Sequence, residues 1–313
     1  MENKKVSVII PTLNAGSEIE DLLQALFKQS IKADEIIVVD SSSDDDTKKI
    51  CNKYSEVQFQ IIDRHKFDHG ETRAIAISKS TGDFVLFLTQ DAMPANESYI
   101  AKLLMPFQDE KVAMVSGRQC AKSDANEIEK LTRAFNYPVI SNVRTEADVP
   151  SLGIKTFFTS DVCSAYRRSA YDDIGGFDYP IITNEDMIIA ARFIYAGYKV
   201  AYAADAKVIH SHDYNLKQQF MRNFDIGVCL KIYEDNFSNL NISGEGIKMV
   251  KWVISELLKN GNLSNAIYYI FECACKLSGN KLGKNYQKLP YGVVKALSPN
   301  KQYWDRLKNQ QTT

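Results

Sequence analysis

Apolar residues in the first ninety positions fall in short runs, and their spacing alternates between two periods. Val6–Pro11, VSVIIP, is a β-branched run stopped by proline and predicts a buried strand. In residues 17–30, SEIEDLLQALFKQS, the apolar positions Ile19, Leu22, Leu23, Leu26 and Phe27 have helical spacing. Ser17, with Glu20 three residues on, predicts a capping box at the start of that helix. EIIVVD, Glu35–Asp40, predicts a second buried strand, and the polar SSSDDDT leads into a helix from about Asp46 to Tyr54. Val57–Ile62 predicts a third strand, Thr72–Ser80 a helix and Asp83–Leu88 a fourth strand. Such alternation calls for a parallel sheet covered on both faces. Ligands of such sheets bind at the carboxyl ends of the strands. Those ends carry Thr12 and Asn14, Asp40 and Ser42, the loop FDHGETR, and Asp91.

The middle of the chain is mixed. VAMVSGRQ predicts a strand and Asn126–Phe135 a helix. FFTSDVCSAYRRSAYDDIGGFD predicts a strand, then a short helix carrying Arg167 and Arg168 outward, then a glycine stop. NEDMIIAARFIYAGYKV predicts a helix ending at Gly197, and KVAYAADAKVIHSH a set of short strands. From Leu216 onward the pattern is helical. Asn, Ser and Gly accumulate over residues 235–246. This predicts a catalytic region over 1–235, divisible at 92 into 1–92 and 93–235, followed by a helical region over 236–313.

Charge changes this picture in one respect. The whole chain is near neutral at −1, which gives no reason to expect nucleic acid. From Lys248 onward, however, there are 11 Lys/Arg against 3 Asp/Glu. A basic, apolar-rich helical tail suits an anionic membrane surface or a second subunit. No run reaches the ~18 apolar residues of a spanning helix, so membrane contact is expected to be peripheral. The six cysteines show no metal spacing and no disulfide framework, consistent with reduced thiols in a cytoplasm.

VSVIIPTLN, EIIVVDSSSDDDT, FDHGETRAIAISKSTGDFVLFLTQDAMP, GGFD, NED and HSHDY stand in the order found in family 2 glycosyltransferases. Over roughly residues 5–215 the chain resembles that family, and FDHGETR, TQDA and HSHDY resemble its rhamnosyltransferase branch. The resemblance implies a GT-A fold: an α/β, mostly parallel mixed sheet flanked by helices, here with a C-terminal helical appendage. It also implies inverting transfer from dTDP-L-rhamnose to a saccharide on a polyprenyl diphosphate, at the inner face of the cell membrane.

The same resemblance implies residue roles. Asp40 meets the nucleotide base, and a carboxylate suits the imide N–H of thymine or uracil. Pro11, Thr12, Asn14 and Ser42 surround base and ribose, and Arg73 and Gln90 contact the nucleotide. Asp91 aligns with the last aspartate of the family's Asp-x-Asp metal signature, but Thr89 occupies the first position. Mg²⁺ or Mn²⁺ keeps waters and accepts phosphate oxygens, so one carboxylate plus a diphosphate is chemically sufficient. A histidine from HSH adds a ligand; His210 and His212 share a side of an extended chain, and His212 is favoured. Asp186 takes the acceptor's proton, Glu185 meets the acceptor and Asp161 meets sugar hydroxyls.

Other readings are a UDP-hexose donor, a scaffold subunit that keeps the fold without turnover, and a sugar-phosphate nucleotidylyltransferase. The last needs a glycine-rich loop with a basic residue after the first strand. PTLNAGSE has one glycine and no Lys or Arg.

Overall fold

The computed structural model describes residues 4–237 and 243–312. Its strands are β1 (Val6–Thr12), β2 (Glu35–Asp40), β3 (Val57–Ile61), β4 (Phe84–Leu88), β5 (Met93–Pro94), β6 (Val112–Cys120), β7 (Asn142–Arg144), β8 (Cys163–Arg167) and β9 (Lys199–Ile209). The helices before residue 200 are α1 (Ile19–Phe27), α2 (Thr47–Cys51), α3 (His69–Lys79), α4 (Tyr99–Leu104), α5 (Glu127–Asn136), α6 (Val149–Leu152), α7 (Arg168–Asp173) and α8 (Glu185–Tyr195). The rest are α9 (Leu216–Ile232), α10 (Glu234–Phe237), α11 (Ser243–Lys259), α12 (Leu263–Lys284), α13 (Tyr291–Leu297) and α14 (Lys301–Thr312).

The chain folds into two compact units. The first is the chain to Cys120 with Tyr137–Tyr179 and Asp186–His210; the second is Ala121–Asn136, Pro180–Glu185 and the chain from Ser211. The expected boundary over 235–246 includes residues outside those described.

The first unit is one mixed sheet in the order β3-β2-β1-β4-β8-β6-β9-β5, with β7 also paired to β9. The four strands read from the sequence pair in parallel, as expected. VSVIIPT and FVLFL are buried almost throughout because helices cover both faces of a parallel sheet. Strand β8 runs antiparallel to both β4 and β6, and β6 runs parallel to β9. Two reversals restore direction, so the carboxyl ends of β4, β6 and β9 lie on the same edge as those of β1 and β2. The amino end of β8 reaches that edge too, with Cys163 opposite Leu88.

Several local expectations are corrected. Helix α1 starts at Ile19 after Glu18, and no side chain caps it; the Glu18 and Ile19 N–H groups bond to the Ala15 carbonyl instead. KVAYAADAKVI is one strand, not several. Its register against β6 jumps between Gly117/Ala203 and Arg118/Lys207, which gives the sequence its broken pattern. Arg167 and Arg168 do not point outward. Arg167 donates to the Val112 and Phe107 carbonyls, and Arg168 to those of Gly82 and Ser80. They tie backbone carbonyls together at the opposite end of the sheet from Asp91.

In the second unit α9 lies against α12 over Gly227, Gly279 and Gly283. A Cβ at any of the three would meet backbone of the facing helix, so glycine is what permits this approach. Helix α5 packs on α11 and α12 through Ile128, Val253, Leu257, Ala266 and Tyr269, and Glu127 accepts from Asn260 and Asn262. No helix among the described residues is long and apolar enough to cross a membrane.

Candidate active site

The carboxyl edge of the sheet gathers nearly all the residues singled out in the sequence. After β1 and β2, Asp40 is buried, and its carboxylate accepts from the Thr12 hydroxyl at 2.9 Å, the Ser43 N–H at 2.8 Å and the Ser43 hydroxyl at 2.5 Å. A carboxylate has about four acceptor directions, so one remains. Asn14 and Ser42 adopt left-handed backbone with φ of 53° and 56°. Asn14 accepts from the Asp44 N–H at 2.9 Å, and the Ser42 hydroxyl donates to the Ile62 carbonyl at 2.7 Å. Both therefore shape the loops. Gln90 does the same for the residue after Thr12: its amide accepts from the Leu13 N–H at 2.8 Å and donates to the Leu13 carbonyl at 3.2 Å. Pro11 is part of β1 and half-buried. Arg64, overlooked in the sequence, donates to the Ser42 carbonyl at 2.7 Å and pairs with Asp44 at 2.8 Å. The basic run DRHK was its signal.

Asp68 caps α3 by accepting from the Gly70 and Glu71 N–H groups. This sets the helix so that Arg73, one turn in, faces the protein interior. From the sequence Arg73 is expected to contact the nucleotide. It is buried, its Nε lies 3.1 Å from Asp161 Oδ2, and its guanidinium sits 5.5 Å from the Phe87 ring centre. Asp161 Oδ1 accepts from the Ser164 and Tyr166 hydroxyls, each at 2.6 Å. Asp161, expected to meet sugar hydroxyls, is only 2% exposed and has both carboxylate oxygens engaged by protein groups. Its backbone N–H donates to Asp186 Oδ2 at 3.1 Å. Asp186 is half-exposed in the first turn of α8. Glu185, expected to meet an acceptor, is buried. Burial first, and then the charges of Asp161 and Asp186, push the Tyr166 hydroxyl well above the usual phenol range, so it stays a donor.

Asp91 follows β4 and His210 follows β9. His210 Nε2 lies 3.3 Å from Asp91 Oδ2, and its Nδ1 lies 3.0 Å from Gln119 Oε1 at the end of β6. When Nδ1–H donates to Gln119, Nε2 presents a lone pair to a carboxylate oxygen. A cation between two such atoms relieves their repulsion, and the imidazole plus carboxylate donor set suits Mn²⁺ better than Mg²⁺, which prefers oxygen ligands throughout. His210 is the histidine beside Asp91 in the first unit, and His212, favoured from the sequence, belongs to the second unit. His212 follows two residues later, where its N–H donates to Glu129 at 3.4 Å and its ring lies 5.1 Å from that of Tyr214. Gln119 was missed, since a glutamine in a strand carries no motif of its own.

The chain is similar to known proteins in sequence and in fold. Residues 7–175 match the family described as Glycosyl transferase family 2. The chain is 41% identical over 309 residues to the O-antigen chain rhamnosyltransferase RfbN of Salmonella typhimurium, covering 97% of each chain. It is 40% identical to the O-antigen chain rhamnosyltransferase WbaN of Salmonella anatum, covering 96% of each. Among solved structures, the mannosyltransferase PcManGT of Pyrobaculum calidifontis, in complex with GDP-Man and Mn²⁺, has a TM-score of 0.62 at 16% identity, covering 90% of this chain and 87% of that one. Staphylococcus aureus TarS 1–349 with UDP-GlcNAc has a TM-score of 0.57 at 17% identity, covering 94% and 84%. The fold is that of the GT-A glycosyltransferases, and the chain belongs to glycosyl transferase family 2.

Proposed function

We propose that the protein transfers L-rhamnose, with inversion, from dTDP-L-rhamnose to a saccharide carried on a polyprenyl diphosphate during surface polysaccharide assembly. The observation that carries this is the 41% identity to an O-antigen chain rhamnosyltransferase over 97% of both chains. In this reading the remaining acceptor direction of Asp40 takes the N–H of the thymine ring, and the loops shaped by Pro11, Thr12, Asn14 and Ser42 hold base and ribose. Asp186 accepts the proton of the acceptor hydroxyl as that oxygen attacks the anomeric carbon. Asp91 and His210, with His212 two residues on, hold a divalent cation together with the donor diphosphate. When bound, that cation offsets charge developing on the leaving diphosphate.

A peripheral position on the cytoplasmic face of the membrane fits a lipid-carried acceptor. Helix α12 supports it. Leu263, Ile267, Ile270, Ala274 and Leu277 form a stripe at alternating spacings of four and three, with Phe271 beside it, and all are solvent-exposed. Glu272 and Lys276 pair away from the stripe at 2.6 Å. Lys281 continues the stripe, and Lys248, Lys251 and Lys259 lie on α11. Apolar residues flanked by lysines suit anionic lipid. A self-paired coiled coil would put Lys281 at a core position and has no e/g charges to set register.

The test is transfer and binding with a donor panel. Purified protein with Mn²⁺ is expected to be stabilised against heat by dTDP-L-rhamnose and to release dTDP when acceptor is added. Stabilisation by UDP-hexoses alone would sink the rhamnose assignment. Absence of any turnover with a matched acceptor would favour a scaffold.

A further inference from the structure

We infer that Asp161 is a positioning residue: it holds Asp186 in place through its backbone N–H and is itself clamped by Arg73, Ser164 and Tyr166. The inference rests on the reading of Asp186 as base. Four distances define the arrangement. The Asp161 N–H reaches Asp186 Oδ2 at 3.1 Å, and Arg73 Nε lies 3.1 Å from Asp161 Oδ2. The hydroxyls of Ser164 and Tyr166 each reach Asp161 Oδ1 at 2.6 Å.

The chemistry of these groups separates holding from binding. Arg73 and Asp161 side chains are 7% and 2% exposed, so neither is presented to a ligand. A buried ion pair of this kind adds little net stability but is costly to break, which makes it suited to fixing geometry. The clamp acts on the peptide that carries the Asp161 N–H, since Asp161 lies in the link before β8 rather than inside a strand. Ser164 and Tyr166 are residues of β8, and Arg73 belongs to α3. A loop N–H is thus anchored to sheet and helix at once. The other Asp186 oxygen, Oδ1, accepts from the Met187 N–H at 2.7 Å, so both carboxylate oxygens have a fixed direction. A base displaced by about 1 Å from its proton loses rate steeply, on the order of 10²-fold. Loss of aim reduces kcat and kcat/KM together, whereas loss of a sugar contact raises KM.

Two variants test this. Asp161→Asn keeps the volume and removes the charge that Arg73 faces; Tyr166→Phe keeps the ion pair and removes one hydrogen bond to Asp161. With dTDP binding followed by calorimetry as a check on folding, Asp161→Asn is expected to lower kcat about 30-fold. Tyr166→Phe is expected to lower it about 5-fold. Donor KM should stay within twofold in both, and the acid limb of the kcat/KM pH profile should move. A raised donor KM with kcat intact in Asp161→Asn overturns the proposal in favour of sugar binding, and so does wild-type kinetics in a folded Tyr166→Phe. Asp186→Asn is run alongside. If it retains activity, the base assignment fails; if it is inactive while both other variants are normal, only the positioning role fails.

Discussion

His210 Nε2 faces Asp91 Oδ2 at 3.3 Å while Gln119 Oε1 holds the opposite ring nitrogen at 3.0 Å. The two residues are 119 positions apart in the chain and meet because β4 and β9 end on one sheet edge. In the proposed metal site, His210 stands in for the second carboxylate that Thr89 replaces. Calorimetric titration of Mn²⁺ in the presence of dTDP should show His210→Ala and Asp91→Ala each weakening the metal at least about 10-fold. Gln119→Leu should weaken it about 10-fold through ring orientation. Unchanged Mn²⁺ affinity in His210→Ala would remove that histidine from the ligand set.

Asp186 is the half-exposed carboxylate of NED, whereas Glu185 is buried. Removing a general base typically costs 10²–10⁴ in rate. Asp186→Asn is therefore expected to lower kcat about 10³-fold while dTDP affinity stays within twofold. Near-normal turnover in a folded variant would exclude it as base.

The stripe on α12 predicts a lipid-composition dependence. Leu263, Phe271 and Leu277 are 61%, 60% and 62% exposed, values unusual for large apolar side chains on three successive turns or more of one helix. Flotation should carry the protein with vesicles containing anionic lipid and not with zwitterionic ones. Ile270→Glu/Phe271→Glu should abolish flotation while preserving transfer to a short, water-soluble acceptor. A concentration-dependent dimer that these substitutions dissociate, with no flotation in the wild type, would assign the stripe to a second copy.

Much of this was legible in sequence because the signals are local. VSVIIPT, EIIVVD and FVLFL declare buried strands by composition, and their polar neighbours declare the edge. What stayed hidden depends on who pairs with whom. The antiparallel insertion of β8 between β4 and β6 brings Asp161 to the edge, and nothing in TSDVC encodes it. Arg73 reads as a nucleotide contact until Asp161 supplies its counter-charge. Helix α5 lies in the middle of the chain, yet its core partners, Val253, Leu257, Ala266 and Tyr269, come more than a hundred residues later. His210 and His212 look equivalent at a spacing of two. Only the β6–β9 register, with Cys120 opposite Ile209, sets Gln119 beside His210.

Asp225 on α9 predicts a pH dependence of stability. Burial raises its carboxyl from the ordinary 3.8 to about 6, against the pull of hydrogen bonds from Ser298 and Asn300. An acid raised in the folded state binds more protons folded than unfolded. Its contribution is therefore most favourable below about pH 4 and is lost as pH rises through 6, by up to about 3 kcal/mol. Asp225→Asn keeps an acceptor for the Asn300 amide, which now lies at 2.9 Å. Urea unfolding should find the variant more stable than wild type at pH 7.5, with the gap closing toward pH 4.5. A gap independent of pH would mean the carboxyl titrates normally.

The glycines between α9 and α12 make the sharpest structural prediction. A Cβ on Gly283 would fall on the Phe224 carbonyl, one on Gly279 on that of Phe220, and one on Gly227 on that of Asn280. Each contact is with backbone, which cannot rotate aside as a side chain can. The two helices would have to separate, losing packing along α12 in return for one methyl group. Overpacking of this kind costs typically about 1–3 kcal/mol, and three backbone contacts this close put it toward the upper end, above the about 1 kcal/mol that alanine's better helix propensity returns. Gly283→Ala is expected to lower the unfolding midpoint measurably. Gly246→Ala, on α11 with open space around it, should leave it unchanged or raise it. Equal effects at the two positions would show that helix propensity, not the close approach of α9 and α12, governs these sites.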